Sequence, residues 1–278
     1  MSEKKILNIV ENPKELNEIL KDEYEFDSAD ANNFSFWYNK IKDVKGFIVP
    51  NSRIVQIPFK IYNIFKCDDV QNGYNKIKDF VEKNIVPIMK ENGNNRTKYF
   101  VKNGTFSNKF DYSTCVASAT QVVDSFIDIC YGAECLGARG NTEFVIRDYI
   151  DYDNRRYATI YNGLPLRCEI RVFYDFEKRK LLYAVDYWNY DYIIPHLYSK
   201  TDKIIFEAVK DELRMEYKRY KKLICEKVEE SFKTIDLRGK WSIDIMIDDL
   251  DGRNDYYLID MALAETSAYW DETKNDGN

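Results

Sequence analysis

The stretch of residues 241–270, WSIDIMIDDLDGRNDYYLIDMALAETSAYW, constrains the fold of this chain more than any other. Two apolar runs, residues 241–247 and 256–261, flank the polar segment Asp251-Gly252-Arg253-Asn254-Asp255. Runs of β-formers around a Gly/Asn/Asp turn spell a β-hairpin. Each run carries an acid in an apolar setting, Asp244 in the first and Asp260 in the second. A buried carboxylate costs free energy unless a cation or hydrogen-bond donors compensate it. Two such acids on adjacent strands point to a divalent metal, and Mg²⁺ held by one or two carboxylates usually also binds substrate phosphates. The plainer alternative is a pair of acids held by backbone donors or facing water at a strand end. Asp248, Asp249 and Asp251 read as turn residues, and the spacing of an EF-hand loop is absent.

Composition removes several classes of function. The 278 residues accommodate one large domain or two smaller ones, and 45% hydrophobic with 15% aromatic residues support a packed core. The net charge of −6 argues against a nucleic-acid coat protein. His196 is the only histidine, so clustered-histidine zinc sites and HExxH proteases are excluded. Acid–base work falls to carboxylates, lysines or tyrosines. The six cysteines form no CxxC pair and read as reduced thiols. MSEKKILNIVENPKEL has no long apolar segment, and no window reaches the ~18 apolar residues of a membrane span. The expectation is a soluble, cytoplasmic protein.

Periodicity supplies the order of elements. Residues 1–45 read as mostly helical, with Asn12-Pro13 as a helix start and Phe36-Trp37-Tyr38 packing onto the body. Strand candidates follow at 46–49 and 53–58. Residues 69–92 carry apolar positions at helical spacing, with Pro87 marking a kink or break. The cluster ENGNNR, 91–96, is the best boundary. Beyond it come a strand at 98–102, a polar loop at 103–113, a helix at 114–131, a turn at 137–141 and a strand at 143–150. A connection at 151–156 leads to paired strands at 166–176 and 180–187, then a long charged helix over 203–235. This order is α+β with mixed or antiparallel sheets.

Two further constellations carry charge. Lys102 ends a strand and precedes Asn103-Gly104-Thr105-Phe106-Ser107-Asn108-Lys109, which offers a cation and flexible N–H donors, as phosphate cradles require. It is not a Walker A loop, and an ordinary surface turn is the alternative. Alternation puts Glu169, Arg171 and Phe173 on one strand face and Ile170 and Val172 on the other. That face either lines a polar cleft or is a solvated outer face with a cross-strand ion pair. Arg147, within EFVIRDYI, raises the same choice.

With these stretches in order, the chain resembles the ATP-grasp superfamily, in particular the branch typified by cell division cycle protein 123 and phage-associated ATP-grasp proteins built on two arginines and a lysine. The matching stretches are YFVKNGTFS, EFVIRDYI, LRCEIRVFYDF, WSIDIM and YLIDMA, spread over residues 46–270. The resemblance implies an N-terminal helical or mixed region (1–95), then two α+β subdomains (96–150 and 151–278) clasping ATP. Lys102 would contact the α- and β-phosphates, with Ser107 in its loop. Val145, Ile146, Arg147 and Asp148 would form the hinge that pairs with adenine. Glu169 would line the nucleotide cleft, Arg171 would reach the phosphates and act with Lys102 in catalysis, and Asp244 and Asp260 would coordinate Mg²⁺. The family usually places Asn two residues after the second metal acid. Here that position is Ala262, so Glu265 or water must substitute.

The function implied is an ATP-grasp ligase acting on a carboxylate and an amine through an acyl phosphate, its substrate groups drawn from loops around 186–191 and 265–269. An ATP-dependent binding or assembly protein without turnover is the alternative, and Ala262 favours it. A nucleic-acid ligase or nucleotidyltransferase would need a KxxG-like lysine, and Lys102-Asn103-Gly104 is one residue too short.

Overall fold

The structure is a computed structural model and describes residues 13–91, 94–138, 141–152, 156–248 and 254–274. Asn12, the centre of the ENGNNR cluster, part of the 137–141 turn, part of the 151–156 connection, and Asp249 with the Asp251-Gly252-Arg253 turn lie outside the described residues.

Helices α1 (Pro13–Ser28) and α2 (Phe34–Ile41) precede strand β1 (Ser52–Gln56) and helices α3 (Phe59–Lys66), α4 (Val70–Asn84) and α5 (Val86–Glu91). Next come β2 (Tyr99–Asn103), β3 (Val116–Ala117), α6 (Val122–Cys135) and β4 (Glu143–Asp148). The short strands β5 (Thr159–Ile160) and β6 (Leu164–Pro165) lead to β7 (Glu169–Asp175), β8 (Lys180–Asp186) and the short α7 (Tyr190–Ile193). The long α8 (Lys200–Phe232) precedes β9 (Lys240–Asp248) and β10 (Asp255–Leu263). The fold class is α+β.

These elements form two compact units, each assembled from separate segments. Unit 1 takes the chain up to Asn33, Arg53–Asn108 and Thr114–Ile146; unit 2 takes Phe34–Ser52, Lys109–Ser113 and the chain from Arg147 on.

Unit 1 is built on a sheet ordered β1-β4-β2-β3. Ile77, Phe80 and Val81 of α4 and Val122, Phe126, Ile129 and Cys130 of α6 recur at helical spacing and are buried together with Val101, Phe144 and Ile146. Phe126 is the pivot of this core, its ring 5.0 Å from Phe144, 5.8 Å from Phe80 and 6.0 Å from Phe65. The expected break near Pro87 falls at Ile85, between α4 and α5. Proline lacks the N–H of a helix interior, but at the second position of α5 that N–H would be unbonded anyway.

The helix expected over 114–131 starts only at Val122. Residues 109–115 form a 3₁₀ turn, and Val116 and Ala117 pair antiparallel with Phe100 and Tyr99. Pairing with β2 overrides the local helical pattern there. Ser118 then turns the chain into α6, its carbonyl accepting from the N–H of Val122 at 3.1 Å.

Unit 2 contains a fully antiparallel sheet ordered β10-β9-β7-β8. One face is covered by α8, whose Phe206, Leu213, Tyr220, Ile224, Val228 and Phe232 are buried at intervals of seven and then four residues. Phe232 lies 6.1 Å from Tyr174 of β7, and the Tyr217 hydroxyl donates to the Ala184 carbonyl of β8 at 3.1 Å. The long charged helix therefore packs on its own sheet. Ser199 caps its start by accepting from the Asp202 N–H at 3.3 Å.

The aromatic segment expected to pack onto the body does so within unit 2. Phe36 stacks on Trp241 at 6.0 Å, and Phe47 meets Phe232 at 6.1 Å. Of the strand expected at 46–49, only Ile48 pairs, in an isolated bridge to Tyr257 of β10. No helix among the described residues is long and apolar enough to cross a membrane, and all six cysteines are free.

Candidate functional site

Two strand faces carry the acids and the arginine, and a single irregularity aligns them. From Asp255 to Leu258, β10 pairs with β9 in one register, Leu258 opposite Ile245. The register then shifts by one residue, and Asp260 falls opposite Asp244. Continued without the bulge, the ladder would set Asp260 against Ile243, on the face packed by α8. The bulge brings the second acid onto the face of the first. Its carbonyl at Ile259 accepts from Arg147 Nη1 at 2.7 Å, while the Arg147 guanidinium lies over the Phe34 ring at 5.4 Å. Burial pulls the Arg147 guanidinium below its ordinary pKa, with the Asp260 charge opposing that.

On the other side of β9, Arg171 of β7 sits directly opposite Asp244. Its Nε and Nη2 each donate to one Asp244 oxygen at 2.7 Å, and Nη1 donates to the Ala268 carbonyl at 3.2 Å. This is a bidentate cross-strand pair, with Asp244 buried to 5% exposure and Arg171 half-buried. Burial works against the charge on Arg171, but Asp244 outweighs it and drives the pKa upward. The ion pair expected of a solvated face is present, yet its acid is buried. Glu169, on the same face, is 7% exposed; desolvation, with Asp244 adding to it, raises its carboxyl to about 8 against the pull of Lys109 and Arg171.

Next to this stripe stands a cation that sequence reasoning noticed only as part of a loop. Lys109 donates from Nζ to the Tyr187 hydroxyl at 2.7 Å and lies 5.1 Å from the centre of that ring. Arg171 lies 5.0 Å from the same ring. Tyr269 closes the group, its hydroxyl donating to the Tyr187 carbonyl at 2.8 Å. These residues border a cavity of about 100 Å³. Tyr187 follows β8 in phase with Val185 and Tyr183, so alternation could have flagged it. Nothing local marks Lys109, which lies 78 residues before Tyr187.

A second buried pair was missed. Arg167, 1% exposed, sits 3.5 Å from Asp248 and donates to the Asp151 carbonyl at 2.6 Å. The reading of Asp248 as a turn residue is corrected: it is buried at the end of β9 and also accepts from the Tyr157 hydroxyl at 3.2 Å. Glu265 is exposed on the turn Ala264–Thr266, and Ala262 pairs with Ser242 beside the two acids. His196 is exposed, its Nδ1 2.6 Å from the Tyr192 carbonyl.

In unit 1, Lys102 is buried at the end of β2. The loop after it is ordered by Asn103, whose Oδ1 accepts from the N–H groups of Thr105 at 3.1 Å and Phe106 at 2.5 Å. Two donors that the sequence offered as a cradle are thus used within the turn. Gly104 is required there: a Cβ would lie 2.7 Å from Asn33 Oδ1 and from Glu143 Cγ. Ser107 is half-buried after this turn, and Val145 and Ile146 are buried in β4. Asp148 is exposed at the end of that strand.

Asp244 and Asp260 fit a magnesium ion that depends on phosphate and water for most of its shell. They do not make a free-standing site: among the described residues no group of three or more His, Cys, Asp or Glu side chains is placed to hold a metal. A carboxylate has about four acceptor positions, so the two bonds from Arg171 leave Asp244 some capacity.

No family model matches the sequence, and no curated protein matches it. Among solved structures the chain is similar to Cdc123 from Schizosaccharomyces pombe at 14% identity, over 88% of this chain and 85% of that one, with a TM-score of 0.44. It is similar to C-terminally truncated Cdc123 of the same organism at 13% identity, over 88% and 85%, with a TM-score of 0.43. D-alanine–D-alanine ligase from Bacillus anthracis, complexed with ATP, is similar at 10% identity over 84% of this chain and 54% of that one, TM-score 0.33.

Proposed function

We propose that this chain binds Mg-ATP and joins a carboxylate to an amine through an acyl phosphate, as an ATP-grasp ligase. The observation that carries this reading is the stripe of Glu169, Arg171, Asp244 and Asp260 on one face of the unit 2 sheet, Glu169 and Asp244 buried and the other two half-buried, aligned by a bulge at Ile259. Four ionisable groups on one sheet face cost free energy in proportion to their burial, and the fold itself has no need of them. Arg171 has the planar fork that suits phosphoryl oxygens as well as a carboxylate. Asp244 and Asp260 would hold Mg²⁺, which when bound neutralises charge on the β- and γ-phosphates. Glu169 would line the nucleotide site. Lys102 and Ser107 would serve the phosphates, and Val145, Ile146, Arg147 and Asp148 would be the strand end that pairs with adenine.

In the reaction, an acceptor carboxylate oxygen attacks the γ-phosphorus, the bond from that phosphorus to the β-bridging oxygen breaks, and ADP leaves. The amine nitrogen then attacks the acyl carbon, the carbon–oxygen bond to phosphate breaks, and the amine proton is lost to water. Arg171 would offset the charge that develops on the transferring group.

A second reading, ATP-dependent binding without turnover, is favoured by two observations. Ala262 stands where a further metal ligand is expected, and both Asp244 oxygens are engaged by Arg171. Thermal melting tests the common part: Mg-ATP at a hundred times its Kd should stabilise the fold by about 2.7 kcal/mol, and Asp260→Ala or Lys102→Ala should abolish the shift. No shift in the wild type refutes both readings. Steady ADP release with carboxylate and amine present selects the ligase; tight ATP binding without turnover selects the second.

A further inference from the structure

The cavity beside Tyr187 has a chemistry that the nucleotide reading does not use. Its walls include Lys109, Phe110, Arg171, Tyr187, Tyr192 and Tyr269, and all of its lining residues belong to unit 2. At about 100 Å³ it is a small cavity. Two cations border it, and among the described lining residues there is no Asp or Glu. The charge of Arg171 is matched by Asp244. Lys109 forms no ion pair among the described residues, and of its three donors one is given to Tyr187.

The Tyr187 oxygen accepts from Lys109, so its own proton is left to donate elsewhere. Burial raises the Tyr187 pKa and keeps that proton in place. The aromatic faces nearest the cations are already occupied by Lys109 and Arg171, which argues against a cationic guest. Two tyrosines of the wall, Tyr161 and Tyr269, hold positive φ angles of 50° and 69°. Such backbone is costly for a bulky residue and persists where the surroundings enforce it.

We propose that this cavity binds the carboxylate of a short aliphatic acid that carries no neighbouring ammonium, either a free short-chain acid or the C-terminal end of a peptide. Lys109 and the Tyr187 hydroxyl take the two oxygens, and the aromatic walls enclose a short stem. A zwitterionic amino acid is disfavoured because its ammonium would find no acid in the lining. As the acceptor site of the ligase the cavity rests on the reading above; as a binding site it stands on its own residues.

Calorimetric titration of the full chain, with and without Mg-ATP, tests this with three probes: N-acetylglycine, propionate and alanine. N-acetylglycine should bind, and alanine should bind at least about tenfold more weakly. Propionate binding as well as N-acetylglycine assigns the site to free acids; N-acetylglycine alone assigns it to peptide ends. Lys109→Met should weaken N-acetylglycine about ten- to a hundredfold, and Lys109→Arg should restore part of it, with the Mg-ATP melting shift unchanged in both. Binding of neither acid, equal binding of alanine, or an unaffected Lys109→Met variant overturns the proposal. The wild-type probe series needs no variant to fold. A missing Mg-ATP shift in the wild type refutes the nucleotide reading separately and leaves the acid titration to stand or fall alone.

Discussion

Replacing Arg171 by methionine should be among the most damaging single changes in unit 2, and its cost can be worked from the geometry. The substitution keeps an apolar stem of similar reach but removes both 2.7 Å donors from Asp244, which remains 5% exposed among sheet residues. Breaking a buried pair from one side leaves an uncompensated charge, which costs about 3–5 kcal/mol. Asp244→Asn in the same background removes that charge, so Arg171→Met/Asp244→Asn should recover a large part of the loss. The coupling between the two sites should be roughly 3 kcal/mol. Urea unfolding of the four proteins near neutral pH, with slopes checked for equality, measures the cycle. If Arg171→Met costs less than about 1 kcal/mol, the pair is screened like a surface salt bridge, and the argument from a costly stripe fails. Strictly additive single changes would refute it equally.

Glu169 supplies a pH test. Its carboxyl lies at about 8 in the fold against an ordinary 4.5, so the folded chain holds this proton more tightly than the unfolded chain. Stability from this group is therefore full below about 4.5 and declines as pH rises through about 8, by at most about 5 kcal/mol. Melting curves of wild type and Glu169→Gln across that window should converge at low pH and separate at high pH, with the variant flatter; parallel curves refute the assignment. In unit 1, Phe126→Ala should cost about 3–5 kcal/mol by opening a cavity among three aromatic rings, measured by urea unfolding. Gly104→Ala should lower the melting temperature, because its Cβ meets Asn33 and Glu143 at 2.7 Å; an unchanged melt would show that both side chains give way freely.

Much of the fold was legible because local periodicity and tertiary demand agree. The strands β7, β8, β9 and β10 read as apolar runs around their turns, the helix over 69–92 breaks just before Pro87, and α8 reads as one long charged helix. The misreadings occur where a distant partner decides. Residues 114–121 carry a helical pattern, yet Val116 and Ala117 are claimed by β2. Asp248 looks like a turn residue until Arg167 is brought to it. Lys109 joins the candidate site only through Tyr187, a contact no window of sequence contains. Glu169, Arg171, Asp244 and Asp260 were all legible as candidates because acids and arginine inside apolar strands are conspicuous. Their mutual register was not, since alternation within one strand carries no information about its phase against the next.

The one-residue slip at Ile259 therefore has a meaning of its own. In β10 the composition of the charged face is stored in a register, not in an identity. Every substitution at Ile259 leaves Asp260 opposite Asp244 so long as the bulge persists. Removing Ile259 altogether would place Asp260 directly after Leu258, still opposite Asp244 in a regular ladder, but would take away the carbonyl to which Arg147 donates. Keeping Ile259 and pairing it with Asp244 in a regular ladder would instead turn the second acid toward α8. A variant with all of its signature residues intact would then carry only half of its acidic pair. For chains of this kind, how the landmarks pair is as diagnostic as which residues they are.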